Sequence, residues 1–223
     1  MTRPVIAIDG PAGSGKSTVG RALAVRLGFR YVDTGAMYRA IALAVLAQPD
    51  PESALAEAGE LARHARLELG WEVSEGRFSI ALDGRDVSLL VRSAEAALWA
   101  SRVAALPAVR EELVARQREL ARGGGVVMEG RDIGTVVCPA AEVKLFLEAD
   151  LAVRGARRDA EEGRGVVHVV GDLDARDRAD TSRSVAPLKP APDAWRLDTS
   201  RLSAAEVVEQ VLERLRDVGL LPA

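Results

Sequence analysis

The sequence predicts an α/β protein in which helices flank a parallel β-sheet. Apolar segments typical of strands alternate with helical patterns, as expected for a parallel sheet that is covered on both faces. The apolar segment Val5–Asp9 runs directly into a glycine-rich loop and a helical pattern. Between residues 66 and 90, short segments with alternating polarity are separated by turns, which predicts a small antiparallel sheet inserted into the core.

The other elements continue this alternation along the chain. Pro107 suits the first turn of a helix, because its ring fixes a helical φ and the N–H it lacks has no partner there. The sequence predicts, in order, a strand over 5–9, a helix from about residue 16, a strand over 30–34, a helix over 36–46, the insertion over 66–90, helices over 93–104 and 108–121, strands over 126–128 and 143–147, a helix over 150–161, an irregular glycine-rich stretch over 162–170, a helix over 172–184, a strand over 196–199 and a closing helix over 204–218.

Residues 10–18 have the pattern GxxxxGK[ST], which is typical of loops that bind the phosphates of a nucleoside triphosphate. The glycines let the loop curl so that backbone N–H groups point at the phosphates, and the following helix adds its positive N-terminus. We expect Lys16 to reach the β- and γ-phosphates and Ser17 to reach Mg²⁺. The predicted ATP-binding residues are Gly10, Pro11, Ala12, Gly13, Ser14, Gly15, Lys16, Ser17 and Thr18.

Composition and charge narrow the class of protein. The chain has 223 residues, enough for one α/β domain with small insertions, and its net charge of −3 gives no overall basic field for nucleic acid or anionic membranes. The longest apolar run, 40–47, is too short to span a bilayer. The single cysteine, Cys138, excludes an internal disulfide. A strand that starts at residue 5 leaves no room for a signal peptide, so we expect a cytoplasmic protein.

Two charged segments follow predicted strands and are candidates for binding a phosphate acceptor. Ligands of open α/β sheets gather at the carboxyl ends of the strands. In the segment 33–39, Arg39 would bind a second phosphate, unless it is an ordinary solvent-exposed arginine. In the segment 129–135, Arg131 and two carboxylates lie beside glycines, although a simple charged turn has the same composition.

Other arginines are spaced to share one face of a helix. Arg157 and Arg158 lie three and four residues after Arg154, so the three repel one another unless an anion compensates them. That anion is either a triphosphate or the pair Glu161 and Glu162. On the next helix, the set Arg176, Asp180 and Arg183 indicates either a ligand site or a structural salt-bridge ladder.

These features favour a small phosphotransferase over other proteins that bind nucleoside triphosphates. GTPases usually recognise guanine with an Asn-Lys-x-Asp segment, which this sequence lacks. Motor proteins usually need a longer chain and surfaces for partners.

Five segments give the chain a close resemblance to the bacterial cytidylate kinases (CMP/dCMP kinases), which are P-loop nucleoside monophosphate kinases. The segments occur in order from residue 8 to residue 190, so the resemblance covers nearly the whole chain. The first is generic to P-loop proteins, whereas the second and fourth are much more specific. They are Ile8–Thr18, Asp33–Arg39, Val103–Arg110, Gly130–Val137 and Ser184–Pro190.

The resemblance implies a three-part chain that uses ATP and Mg²⁺ to phosphorylate CMP and dCMP in pyrimidine nucleotide metabolism. It implies a core over about 1–38, 100–153 and 171–223, an NMP-binding insertion over about 39–99 and a lid over about 154–170. The change in composition at 48–51 and the predicted antiparallel sheet agree with the insertion. Residues 162–170, at the end of the implied lid, depart from the sequence expected of the family.

The resemblance also implies a role for each candidate residue. Arg39 and Arg131 would bind the acceptor phosphate, and Ser17, with Asp33 as a second candidate, would bind Mg²⁺, mostly through waters. The residues implied in phosphoryl transfer are Lys16, Arg131, Arg183, Arg157 and Arg158. Those implied in binding CMP are Thr34, Tyr38, Arg39, Ser101, Arg110, Arg131, Asp132, Arg176 and Asp180; of these, Ser101, Arg110 and Asp132 would read cytosine, and Arg176 and Asp180 would meet the pentose.

Two other functions fit a P-loop in a chain of this size. One is a small kinase with a different acceptor, such as UMP, shikimate or gluconate, which would not need the set Ser101, Arg110 and Asp132. The other is a regulatory ATPase that uses the loop to switch conformation, which would not need an arginine-lined acceptor site. We expect ATP and CMP or dCMP as substrates, and the sequence indicates no obligatory protein partner.

Overall fold

The protein combines a five-stranded sheet with a separate three-stranded sheet. The computed structural model describes residues 3–163 and 165–221. Its elements are β1 (Val5–Asp9), α1 (Lys16–Leu27), β2 (Arg30–Asp33), α2 (Thr34–Leu46), α3 (Pro51–Ala54), a 3₁₀ turn (Leu55–Glu57), α4 (Ala58–His64), β3 (Leu67–Glu72), β4 (Arg77–Leu82), β5 (Arg85–Asp86), a 3₁₀ turn (Leu90–Arg92), α5 (Ala94–Val103), α6 (Pro107–Ala121), β6 (Val126–Gly130), a π-helical turn (Ile133–Val137), β7 (Val143–Glu148), α7 (Leu151–Glu162), α8 (Val166–Ser182), β8 (Trp195–Asp198) and α9 (Ala204–Asp217).

The larger sheet has the strand order β2-β6-β1-β7-β8, with β1 at its centre. β1 pairs in parallel with both β6 and β7, and β7 pairs in parallel with β8. Ile6 and Ile8 on β1 and Leu145 and Leu147 on β7 are fully buried. Burial on both faces explains why these strands read as nearly continuous apolar runs. The predicted parallel sheet flanked by helices is therefore confirmed.

The chain divides into two compact units. The first contains the described residues within Met1–Tyr31 and Gly123–Ala223, and the second is Val32–Arg122. The second unit includes α2, α5 and α6 as well as the antiparallel sheet. In this unit α2, α4, α5 and α6 share one apolar core, and the insertion predicted over 39–99 lies within its bounds.

The core of the first unit lies between the parallel sheet and its helices. Leu23 on α1 and Leu215 on α9 are completely buried, and the two helices pack together. α9 begins with a capping box, in which the Ser203 hydroxyl and the Glu206 carboxylate each accept a hydrogen bond from the other residue's backbone N–H. The closing helix and the strand before it are confirmed within one residue of their predicted bounds.

The core of the second unit is built around α2. Met37, Ile41 and Val45 on this helix pack with buried residues of α4, α5 and α6. Asp33 caps α2 by accepting a hydrogen bond from the Ala36 N–H at 2.9 Å, so the helix begins two residues earlier than predicted. Its apolar run reflects burial in this core. In the part of the chain that the structure describes, no helix has the length and hydropathy to cross a membrane.

The antiparallel sheet is confirmed at the predicted position. β3 pairs with β4, from Leu67 opposite Leu82 to Glu72 opposite Arg77. Asp83 and Gly84 connect β4 to β5, with φ of 51° and 80°. Two consecutive residues with positive φ form the turn that matches the twist of a tight hairpin, and Asp-Gly is a favoured pair there.

The irregular stretch predicted over 162–170 is wrong for most of its length. α8 begins at Val166, six residues before the predicted start, and of the predicted stretch residue 164 lies outside the described residues. The valines and glycines of this region suggested irregular structure, but packing decides otherwise. Val169 is buried, and Val170 lies so near Gly155 of α7 that a Cβ on Gly155 would be 2.3 Å from the Val170 Cγ2.

We expect Gly155→Ala to lower the free energy of unfolding by about 1–3 kcal/mol, because the added methyl group overpacks the contact between α7 and α8. Gly171→Ala on α8 is the matched control. A Cβ there meets nothing within 4 Å, so the better helix propensity of alanine should stabilise the protein by about 0.5–1 kcal/mol. Urea unfolding would measure both, and shifts in the same direction would contradict the close packing of the two helices.

Candidate active site

The loop between β1 and α1 has the geometry of a phosphate-binding loop. Gly10 has φ 148°, and a Cβ there would lie 2.2 Å from the backbone oxygen of Leu147, so only glycine fits. Gly15 has φ 91° and is the N-cap of α1, which begins at Lys16. The loop therefore ends at a helix N-terminus, where unpaired N–H groups and the helix dipole favour an anion.

Lys16 places its amino group inside this loop. Its side chain is buried, with 6% of the residue exposed, and its Nζ donates a hydrogen bond to the backbone oxygen of Pro11 at 2.7 Å. Burial and the nearby charges of Arg131 and Arg176 lower the pKa of Lys16 to about 7, although Glu129 and Asp9 oppose them. A bound polyphosphate would stabilise the ammonium form, since an adjacent anion favours the charged amine.

Mg²⁺ fits this loop as a partner of the nucleotide rather than as a protein-bound ion. Among the described residues, no group of three or more His, Cys, Asp or Glu side chains could hold a metal. Ser17 is exposed on the first turn of α1, which leaves its hydroxyl accessible. Mg²⁺ commonly keeps several waters and binds phosphates together with one or two protein oxygens. Asp33 is less suitable, because its two oxygens accept hydrogen bonds from Ala36 N and Arg39 Nη2.

Asp180 joins two of the predicted catalytic arginines. Arg131 Nε donates to Asp180 Oδ2 at 2.8 Å, and Arg183 Nη2 donates to Asp180 Oδ1 at 2.5 Å. The carboxylate is 2% exposed. Burial alone would raise its pKa, but the positive charges of Arg131, Arg183 and Arg176 outweigh burial and hold it below the usual value. Of the predicted set Arg176, Asp180 and Arg183, the pair Asp180–Arg183 is an ion pair, and Asp180 also fixes the guanidinium of Arg131 in position.

Asp9 connects β1 to the turn that follows β6. Its Oδ1 accepts a hydrogen bond from Ile133 N at 2.8 Å, and its Oδ2 accepts one from Gly134 N at 2.7 Å. Burial raises the pKa of Asp9 to about 6 in spite of these two bonds. The turn begins directly after Asp132, so the strand that precedes the P-loop also holds the backbone of a predicted base-reading residue.

The three arginines of α7 differ in their surroundings. Arg154 is buried, pairs with Asp177 at 2.6 Å and donates to the backbone oxygen of Ala12 in the P-loop at 3.1 Å. Arg157 donates to Thr199, and Arg158 is half-buried. The alternative in which Glu161 and Glu162 compensate these charges falls on side chains outside those that the structure describes. Arg154 therefore supports the P-loop through the Ala12 oxygen, and Asp177 compensates its charge.

In the second unit, the N-terminus of α2 carries the predicted acceptor residues. Arg39 Nη2 donates to Asp33 Oδ2 at 2.8 Å, so an ion pair holds the guanidinium at this end of the helix. The Arg39 Nε is buried and has no hydrogen-bond partner among the described residues. Thr34 is the first residue of α2 and is buried. A buried donor with no partner at a helix N-terminus is suited to an anion.

The predicted base-reading residues belong to both units. Arg110 on α6 is 5% exposed, and its Nη1 donates to the Tyr38 hydroxyl of α2 at 3.5 Å. Ser101 is half-buried on α5. These three residues lie in the second unit, whereas Asp132 lies in the first, where it is buried. Arg176 is half-buried on α8 in the first unit, close enough to Lys16 and Asp180 to influence both pKa values.

Sequence reasoning missed three residues that position this site. Asp177 compensates Arg154, Asp9 holds the backbone after Asp132, and Thr199 contacts both the P-loop and Arg157. A signal existed for Thr199, because it directly follows a strand, at the sheet edge where ligands gather. The same signal existed for Asp9, the last residue of β1, although its partners Ile133 and Gly134 are far away in sequence. For Asp177, whose partner Arg154 lies on another helix, no local pattern existed.

Comparison with known proteins identifies similar chains over nearly the full length. The family described as Cytidylate kinase matches residues 6–217. The cytidylate kinase of Pelotomaculum thermopropionicum is 46% identical over 217 residues, which cover 95% of this chain and 96% of that protein. The cytidylate kinase of Geobacillus sp. (strain WCH70) is 48% identical over 216 residues, which cover 93% and 94% of the two chains.

Some relatives are longer than this chain. The bifunctional pantoate ligase/cytidylate kinase of Synechococcus sp. (strain JA-3-3Ab) is 46% identical over 222 residues, or 97% of this chain. The chain spans only 41% of the length of that protein. The match therefore concerns one part of a two-function relative.

A solved structure supports the fold. The gluconokinase of Sinorhizobium meliloti 1021 has a TM-score of 0.50 and 16% identity, covering 97% of this chain and 93% of that one. At this level of identity, the likeness concerns the fold alone. The sequence relationship is more specific, since relatives at 46% and 48% identity match 95% and 93% of the chain and one family spans residues 6–217. This chain belongs to the cytidylate kinase family.

Proposed function

We propose that this protein transfers the γ-phosphoryl group of ATP to CMP, and to dCMP, as a nucleoside monophosphate kinase of pyrimidine metabolism. The observation that carries the proposal is the buried ammonium group of Lys16 inside a glycine-rich loop, with Arg131 and Arg176 close enough to lower its pKa. Such a concentration of positive charge favours a ligand with several negative charges. Family membership supports CMP as the acceptor.

We assign the donor site to the P-loop and the acceptor phosphate to Arg39 and Arg131. Arg39 suits this role because Asp33 fixes one side of its guanidinium while the buried Nε remains available. Arg131 suits it because Asp180 holds its Nε, which leaves other N–H groups to meet an oxyanion. The resemblance adds Thr34 and Tyr38 to the CMP site, Ser101, Arg110 and Asp132 to cytosine, and Arg176 and Asp180 to the pentose.

The arrangement favours positioning and charge stabilisation as the source of catalysis. An oxygen of the acceptor phosphate is already ionised, so it can attack without a strong general base, and phosphoryl transfer needs little covalent help from the protein. Lys16, Arg131 and Arg183 would stabilise charge on the moving group, and Arg157 and Arg158 would contribute from α7. When bound near Ser17, Mg²⁺ would neutralise charge on the β- and γ-phosphates.

We extend the proposal to the organisation and location of the protein. The core over 1–38, 100–153 and 171–223 would bind ATP, the insertion over 39–99 would bind CMP, and the lid over 154–170 would exclude water during transfer. The protein would act in the cytoplasm on its small substrates alone, without nucleic acid, membrane or an obligatory protein partner.

ADP formation should depend on CMP and on Lys16. We expect ATP turnover without CMP to be a small fraction of the rate with it, because the catalytic groups would assemble only when both substrates are bound. Lys16→Ala should reduce the transfer rate by roughly 10²-fold or more, since it removes charge stabilisation worth about 3 kcal/mol. A coupled ADP-release assay would measure both, with circular dichroism as the check on folding.

Three outcomes of that assay would contradict the proposal. Equal rates with and without CMP would favour the regulatory ATPase. Stimulation by UMP, shikimate or gluconate but not by CMP would favour a different small kinase. Turnover near the wild-type rate in Lys16→Ala would remove the P-loop lysine from the mechanism.

Arg39→Ala should weaken CMP binding and leave ATP binding nearly unchanged. Loss of a charge-assisted contact to the acceptor phosphate should cost about 1.5–3 kcal/mol, which raises the KM for CMP by roughly 10-fold or more. Arg63→Ala is the matched control in the same unit, because Arg63 is exposed and pairs only on the surface with Glu60 and Glu112. If Arg39→Ala changed the KM for ATP instead, the two phosphate sites would be assigned the wrong way round.

Asp132→Asn should reduce the preference for CMP over UMP. A carboxylate accepts a hydrogen bond from the amino group of cytosine but repels O4 of uracil, whereas an amide can donate to that O4. Sites that bind a polar substrate group can discriminate by about 10⁴-fold. We therefore expect kcat/KM to fall for CMP and to rise or hold for UMP. Asp217→Asn, at the exposed end of α9, is the control, and an unchanged ratio in Asp132→Asn would show that Asp132 does not read the base.

A further inference from the structure

Thr199 occupies a junction between the P-loop and the strands β7 and β8. It directly follows β8 and is 2% exposed. Its backbone N–H donates to the Glu148 oxygen at the end of β7 at 2.8 Å. Its Oγ1 lies 3.0 Å from the Ser14 oxygen in the P-loop and 3.1 Å from the Glu148 oxygen. Because the hydroxyl has a single proton, it can donate either to the Ser14 oxygen of the P-loop or to the Glu148 oxygen of β7.

The same residue holds the guanidinium of Arg157. Arg157 Nη1 donates to Thr199 Oγ1 at 3.0 Å, and Nη2 donates to the Thr199 backbone oxygen at 2.6 Å and to the Leu202 oxygen at 3.4 Å. Two nitrogens of one guanidinium thus bind two atoms of one threonine. This geometry fixes the plane of the guanidinium as well as its position.

The guanidinium lies beside the P-loop. A Cβ built on Gly15 would be 4.0 Å from Arg157 Nη1. Among the side chains that the structure describes, the hydrogen bonds of Arg157 all go to uncharged oxygens. Arg154, on the same helix, differs because it pairs with Asp177. Arg157 is therefore held next to the N-terminus of α1, where an anion bound by the P-loop would lie close to its guanidinium.

We propose that Thr199 is a positioning residue for the donor nucleotide, because its hydroxyl and carbonyl hold Arg157 against the P-loop while the hydroxyl also contacts Ser14. This inference rests on the proposed binding of ATP at the P-loop. Thr199 itself acts through Arg157 and need not touch the nucleotide. Its effect should therefore appear in the binding of the triphosphate and not in the binding of CMP.

Thr199→Val, Thr199→Ser and Arg157→Gln test this role by titration with the β,γ-imido analogue of ATP and Mg²⁺ in the absence of CMP. Valine has nearly the same shape but lacks the hydroxyl, so we expect the Kd of the analogue to rise by roughly 10-fold. Serine keeps the hydroxyl and should stay within about 2-fold of the wild type. Arg157→Gln, which changes a half-buried side chain, should weaken the analogue by a similar factor without removing a core residue.

A double-mutant cycle and a stability control separate this role from a structural one. In the Arg157→Gln background, Thr199→Val should add less than about 2-fold, because residues in contact act non-additively. Ser203→Ala removes the cap of α9 from the same loop, so it should lower the unfolding temperature but leave the Kd within about 2-fold. The KM for CMP should remain within about 2-fold in Thr199→Val.

Several outcomes would overturn the role of Thr199. Wild-type affinity in Thr199→Val, equal loss in Thr199→Ser, or full additivity with Arg157→Gln would each do so. A wild-type chain that did not bind the analogue would overturn both this inference and the proposed function. A wild-type chain that bound the analogue but did not phosphorylate CMP would overturn the proposed acceptor alone and leave the result for Thr199 intact.

Discussion

The buried ammonium group of Lys16 is the constraint on which the rest of the site depends. A buried amine is costly in its charged form, and nearby arginines increase that cost. The protein offsets it only in part, through the Pro11 oxygen and the carboxylates of Glu129 and Asp9. A glycine-rich loop that ends at a helix N-terminus attracts anions for the same reason. A polyanion bound at this loop would therefore stabilise the charged form of Lys16.

Carboxylates pair with several arginines near this loop and fix their orientation. Asp177 neutralises Arg154, which then supports the P-loop from α7. Asp180 binds Arg131 and Arg183 together, so their orientation is set before any ligand arrives. Preorganised charges of this kind need no rearrangement when charge develops on a transferred group. The hydroxyl and carbonyl oxygens of Thr199 likewise fix the orientation of Arg157, and these oxygens carry no formal charge.

Features that depend on neighbouring residues in the chain could be predicted from local sequence patterns. The P-loop, the buried strands and the hairpin at Asp83–Gly84 follow from residue spacing and turn chemistry, and the structure has them as predicted. The start of α8 was missed because the fit between Gly155 and Val170 outweighs the weak helix propensity of valine. The partners of Arg154 and Arg157 depend on contacts with Asp177 and Thr199 that the fold brings together. Helix spacing alone predicted that these arginines are equivalent. The tertiary structure distinguishes Arg154, which pairs with Asp177, from Arg157, which is bound by Thr199.

The bonds from Asp9 to Ile133 and Gly134 also affect the distance between the P-loop and the backbone beside Asp132. Asp9 is the last residue of β1, directly before the P-loop, and the two N–H groups belong to the turn directly after Asp132. The two bonds therefore connect the end of β1, and with it the start of the phosphate loop, to the backbone beside Asp132. Motion that two groups share does not change the distance between them. A movement of the sheet as a whole would therefore preserve the distance between the phosphate loop and the backbone beside Asp132.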